Sequence, residues 1–225
     1  MTAKANTQFT RPDGKECPAY YSAPAAGDAA PGVVVIQEWW GLNDQIVGAA
    51  ERLVESGHRV LVPDLYRGDV TLEAAEAAHK MENLDFPDAA AQDARGAVQH
   101  LKQTSPKVGV VGFCMGGVVA LMTAMYAPEV DAAVSWYGVP PEEAGDPSRI
   151  AIPVQGHFAM RDSFFSPDKV DALEQKLKSG GVSHEFFRYD AEHAFGNETG
   201  PHYDAEAAKL AWERTLAFFA QQLRA

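Results

Sequence analysis

The chain has few cysteines, few basic residues and no long apolar run. Only Cys17 and Cys114 occur in 225 residues. Two cysteines are too few for a disulfide framework and fit a reducing compartment. No stretch approaches the roughly 20 consecutive apolar residues that a membrane helix needs. Met1 to Lys15 is polar and lacks the apolar core of a signal peptide. These features together lead us to expect a soluble, cytoplasmic protein. Lysine and arginine number 19 against 31 acidic residues, a formal charge of −12. Such a field repels phosphate backbones and anionic lipid surfaces, so the expected partners include neither nucleic acid nor membrane. The acidic balance is compatible with uncharged or cationic substrates, but a solvated acidic surface is the plainer reading.

What is present is ordinary globular material, 46% hydrophobic and 22% charged. A single core of this size can bury roughly 70–75% of the surface that the unfolded chain exposes, so no metal or disulfide is required for stability. Short β-branched runs alternate with helical patterns. Val33–Ile36, Val60–Val62, Val108–Val111, Ala132–Trp136, Ile152–Gln155 and His184–Tyr189 read as strands. Helices are expected over Ile46–Val54 with Gly57 as its stop, over Leu72–Asn83, Asp88–Gln103, Gly116–Tyr126 and Pro167–Ser179, and from about Asp204 to Leu223. The Ala/Pro/Gly-rich piece Ser22–Gly32 reads as a turn after an N-terminal extended segment. Strands separated by helices build a mostly parallel sheet covered on both faces. The expectation is one α/β domain over residues 1–225.

In such sheets chemistry gathers beyond the carboxyl ends of the strands. There, Gly112-Phe113-Cys114-Met115-Gly116-Gly117 follows one strand and opens a helix. This is the G-x-S-x-G nucleophile elbow with sulfur in place of oxygen. The flanking glycines let strand and helix approach closely, and the tight turn pushes the central side chain out above the sheet. A thiol at a helix N-terminus is expected to be biased towards thiolate, with the Met115 N–H available to an oxyanion. The plainer reading of Cys114, a small buried hydrophobe, is weakened by the strand before it and the helix after it.

An elbow nucleophile takes an acid and then a histidine later in the chain. Of His157, His184, His193 and His202, His193 lies in the loop between the last strand and the last helix, where the base belongs; His202 is the runner-up. Asp162 follows a strand and has no capping explanation. Asp168 begins a helix, Asp146 lies in a turn and Asp171 on a helix. Cys114, Asp162 and His193 are therefore the expected triad. Glu38, in Gln37-Glu38-Trp39-Trp40-Gly41 after the first buried strand, is either a salt-bridged surface acid or a neighbour of Cys114 that helps activate it.

These residues resemble the dienelactone hydrolases (carboxymethylenebutenolidases) of the α/β-hydrolase superfamily over almost the whole chain. The resemblance rests on Gln37-Glu38 with Gly41, Val62-Pro-Asp-Leu-Tyr66, the Cys114 elbow, Ser135-Trp-Tyr-Gly138, His157-Phe158 with Asp162, His193-Ala-Phe195 with Asn197, and Tyr203-Asp-Ala-Glu-Ala-Ala208. It implies an α/β-hydrolase fold without a lid domain and a cysteine-dependent hydrolase that opens an enol-lactone or cleaves a related ester through an acyl-enzyme. It further implies that Glu38 helps deprotonate the thiol when substrate binds, that the Trp39 and Met115 backbone N–H groups form the oxyanion hole, and that no metal or organic cofactor is needed. Two substrate-binding arginines of the best-known members are missing: Ala75 and Asn197 stand in their places. Arg67, Arg161 and His79 are candidates to compensate, but a less charged ester or lactone is the expected substrate. Trp40, Phe113, Tyr137, Phe195 and Asn197 are candidate pocket residues, at least two of the aromatics being expected to serve as core. A thioesterase using the same triad and a non-catalytic binding scaffold are the alternatives. The oligomeric state is left open, with a monomer favoured.

Overall fold

The computed structural model describes residues 4–25 and 29–224; the middle of the expected Ser22–Gly32 turn lies outside them. Strands β1 (Thr7–Thr10) and β2 (Glu16–Ser22) form an antiparallel hairpin at one edge of an eight-stranded sheet. The remaining elements follow in chain order: β3 (Gly32–Ile36), α1 (Asp44–Glu55), β4 (Arg59–Pro63) and α2 (Ala74–Glu82). Next come α3 (Phe86–Asp88), a π-helical stretch (Ala89–Ala94), α4 (Arg95–Lys102), β5 (Val108–Phe113) and α5 (Met115–Tyr126). Strand β6 (Ala132–Trp136), β7 (Val154–Ala159), α6 (Pro167–Ser179), β8 (His184–Tyr189) and α7 (Ala205–Gln222) complete the chain. The sheet order is β1-β2-β4-β3-β5-β6-β7-β8, parallel from β4 to β8. Among the described residues no helix is long and apolar enough to cross a membrane.

The uninterrupted apolar runs have a direct cause: β3, β4 and β5 are buried on both faces. Side chains alternate along β3, so Val33 and Val35 pack against α1 and α7 while Val34 and Ile36 pack against α4 and α5. Several boundaries differ from the sequence reading. Helix α2 starts at Ala74 because the Thr71 side chain accepts the Glu73 N–H, which holds Glu73 extended. Strand β7 runs from Val154 to Ala159, past the expected end at Gln155, so His157 lies inside it. The long Asp88–Gln103 pattern is a helix interrupted by the π-helical stretch, where Asp93 accepts bonds from Arg11 (2.9 Å) and Arg67 (2.6 Å).

His157 is wholly buried against Trp136 and Phe187. Its Nδ1 lies 2.8 Å from the Tyr189 hydroxyl, and its Nε2 lies 2.9 Å from Gln155 Oε1 and 3.0 Å from Thr215 Oγ1. Thr215 also accepts the Trp136 indole N–H at 3.1 Å, which ties α7 to β6 and β7. Burial, aided by the charge of Arg214, pushes the imidazole from its usual 6.5 down to about 3. The unfolded chain takes up this proton below about pH 6.5, whereas the native state does so only near 3. Stability contributed here is therefore complete above 6.5 and is lost as pH falls across that window, at up to about 1.4 kcal/mol per pH unit. Urea midpoints measured from neutral pH down to about pH 5 are expected to fall, and H157Q is expected to flatten that slope.

Candidate active site

The elbow is built by contact between β5 and α5. A Cβ on Gly112 would stand 1.9 Å from the Gly116 carbonyl oxygen, and a Cβ on Gly116 would stand 2.4 Å from the Ile36 carbonyl oxygen. Only hydrogen fits at either place. Between them Cys114 has φ 54° and ψ −118°, a region that residues with a Cβ rarely occupy. Its N–H donates to the Trp136 carbonyl at 2.9 Å, which anchors the strained turn to β6. Cys114 precedes the first turn of α5, so the helix begins at Met115, one residue before the expected start.

The thiol sulfur lies 3.1 Å from His193 Nε2, and His193 Nδ1 lies 2.7 Å from Asp162 Oδ2. Asp162 Oδ1 accepts the backbone N–H groups of Phe164 (2.8 Å) and Phe165 (2.9 Å). With both carboxylate oxygens accepting, His193 Nδ1 carries the proton towards Asp162. Its Nε2 is then left as the acceptor for the thiol. The three side chains come from three loops at the carboxyl ends of β5, β7 and β8. The competing residues lie elsewhere: His202 pairs with Glu192 at 2.5 Å on the surface, Asp146 caps Ser148, and Asp171 pairs with Arg188.

Glu38 is 3% exposed and is not a surface ion pair. Its Oε1 accepts the Tyr137 hydroxyl at 3.1 Å, and its Oε2 accepts the Asn197 amide at 2.7 Å. These bonds fix the carboxyl on two neutral donors. Burial raises its pKa, with the Asn197 hydrogen bond, the charge of His193 and the Tyr137 hydrogen bond opposing. The thiol departs from the helix-dipole expectation. Burial pushes its pKa strongly upward and the charges of Glu38 and Asp162 add to this, outweighing the Met115 N–H that favours thiolate. The resting sulfur is therefore held as a neutral thiol.

The aromatic candidates separate into two groups. Tyr137 sets its ring edge against His193, 5.3 Å between centroids, while Trp39 and Trp40 form a half-buried edge-on pair in the loop beside Glu38. Phe113 and Phe195 correct the expectation of a pocket role. Both are sealed in the core, at 1% and 0% exposure, around Trp136 and Tyr137, and Tyr137 is itself 0% exposed, so it meets His193 from within the core rather than lining an open pocket. Asn197 is also buried, and its amide is occupied by Glu38 and the Thr199 turn. Sequence reasoning missed Phe164 and Phe165, whose rings lie 4.9 and 5.7 Å from His193, and Tyr66, whose hydroxyl lies 3.3 Å from the Met115 sulfur. The signal available was position: the pair follows the acid by two and three residues, and Tyr66 follows the carboxyl end of β4. None of the compensating cations is free. Arg67 is bound to Asp93 and the Asp64 carbonyl, Arg161 to Asp190, and His79 to Asn83. Among the described residues no group of three or more His, Cys, Asp or Glu side chains could hold a metal ion.

Residues 17–223 match the model of the dienelactone hydrolase family. The chain belongs to that family. Relatives of this dienelactone hydrolase family member include Protein usf of Aquifex pyrophilus, 33% identical over 94% of this chain and 96% of that one. A Salmonella typhi protein provisionally named a carboxymethylenebutenolidase is 30% identical over 92% of this chain and 84% of its own length. A Klebsiella pneumoniae crystal structure provisionally assigned as a dienelactone hydrolase superposes with a TM-score of 0.84. It is 27% identical and covers 96% of this chain and 98% of that one. The α/β-hydrolase fold that the resemblance implied is thus shared with that structure.

Two outcomes test the elbow and its thiol. Because glycine tolerates positive φ, C114G is expected to be more stable than C114A by about 1 kcal/mol, measured by urea unfolding. The ultraviolet thiolate absorbance of Cys114, taken as the difference between wild type and C114A, is expected to stay absent at neutral pH. It is expected to emerge only above the ordinary thiol range.

Proposed function

We propose that the chain acts as a single hydrolase domain. It would cleave small carboxylic esters or enol-lactones through a thioester on Cys114. The observation that carries this reading is the continuous line from the strained Cys114 thiol through His193 to Asp162. On attack, the thiol proton passes to His193 Nε2 as the sulfur bonds the substrate carbonyl carbon. The backbone N–H groups of Met115 and Trp39 receive the oxyanion. Collapse expels the alkoxide or enolate, which takes the proton back from His193. Water, deprotonated by His193, then attacks the thioester carbonyl; the C–S bond breaks, the departing sulfur takes that proton back from His193, and the carboxylic acid leaves with the thiol regenerated. Asp162 fixes the imidazole tautomer and balances the transient imidazolium. Glu38 tunes the pair: its charge opposes a resting thiolate and favours the imidazolium formed during attack.

The substrate is a weakly charged one. The two places where the family's best-known members carry arginine hold Ala75 and Asn197, the nearby cations are paired, and the chain carries −12 overall. A panel of aryl esters, a cis-enol lactone and acyl thioesters tests the proposal. C114A is expected to lose at least about a thousandfold in kcat/KM. Intact mass of the wild type is expected to show an acyl adduct that C114A lacks. Full activity in C114A would sink the mechanism, and the absence of both turnover and adduct would leave a binding scaffold. A neutral aryl ester is expected to outrun its carboxylate-bearing analogue.

A further inference from the structure

A groove with a volume of about 910 Å³ opens beside the candidate site, between the end of α2, the start of α3, α5, α6 and the loop after β6. That volume lies within the roughly 300–1,000 Å³ of small-molecule sites. Its walls include Leu84, Phe86, Val118, Met122, Phe165 and Leu173. Two of these lie next to the candidate triad, one a turn of α5 from Cys114 and the other against His193. The Val118 N–H donates to the Cys114 carbonyl at 3.2 Å, and the Phe165 ring lies 5.7 Å from His193. The rim carries Glu82, Asp85, Glu142 and Glu143. Its two lysines are both engaged, Lys169 with the Phe164 carbonyl at 3.0 Å and Lys176 with Glu142 at 3.5 Å. Apolar walls beneath an acidic rim suit an uncharged alkyl chain and disfavour one that ends in a carboxylate.

We propose that this groove is a subsite for the neutral alkyl chain of the substrate, on either its acyl or its alcohol side. The proposal rests on the hydrolase reading above. Its test compares kcat/KM for para-nitrophenyl esters from acetyl to octanoyl and for acetate esters from methyl to octyl. The series in which rate rises identifies the side. A gain of about two- to fourfold per methylene is expected in one series, so the long-to-short ratio reaches at least tenfold. In A172W, which places an indole in the groove from α6, that ratio is expected to collapse towards one while the melting temperature holds. A flat profile in both series, or an unaltered ratio in A172W, would overturn the proposal. So would a dimer in sedimentation that A172W abolishes, since a second copy would then fill the groove. If no ester is cleaved, the hydrolase reading fails on its own. The groove is then judged by whether octyl acetate displaces a bound hydrophobic dye from C114A: displacement that disappears in C114A/A172W supports the subsite, and no displacement overturns it.

Discussion

The backbones of β5 and α5 meet at Gly112 and Gly116 with no room for a side-chain carbon, and Gly116 in turn rests on the carbonyl of Ile36 in the neighbouring strand. That contact sets the height of α5 over the sheet. It leaves Cys114 one residue in which to reverse direction, at a positive φ. The energetic cost of that conformation is of the order of 1–3 kcal/mol. It is borne by the rest of the fold: the Trp136 carbonyl on one side and the layers of α4, α5 and α6 on the other. The loops after β7 and β8 then need only bring Asp162 and His193 to a point already fixed in space.

Around that point the electrostatics oppose charge separation at rest. Glu38 and Asp162 both lie near the thiol, and burial raises the energy of any thiolate. Tyr137 and Asn197 satisfy Glu38 without neutralising it by a cation. Asp162 is held instead by two backbone N–H groups and the imidazole. The two acids therefore differ in what they touch. One is fastened to the histidine, while the other is held by two neutral donors, a hydroxyl and an amide.

The sheet, the elbow and the order Cys114, Asp162, His193 were legible because each has a short-range signal: β-branched runs, flanking glycines, and an acid or histidine just past a strand. What failed did so for reasons of three-dimensional surroundings. The helix-dipole argument for a thiolate at Cys114 considered one element, whereas desolvation depends on every element packed around the sulfur. Phe113 lies next in sequence to Cys114 yet points into the core because side chains alternate along a strand, whereas Phe195, two positions past His193, is buried by a turn that passes through a positive φ at Ala194 and follows no such alternation. The π-helical stretch at Ala89–Ala94 follows no periodicity visible in its alanines, since its buried Asp93 is answered by Arg11 and Arg67 from distant parts of the chain. Phe164 and Phe165 matter through the fold of one short loop, which no spacing rule encodes.

Peroxide and other oxidants attack thiolates, not thiols, and a low-pKa exposed cysteine is the one that ends as sulfinic or sulfonic acid. A sulfur that burial and two neighbouring carboxylates keep protonated is a poor target for them. On the proposed reading, the same environment would preserve Cys114 between turnovers and reserve its reactivity for a molecule that fits the site.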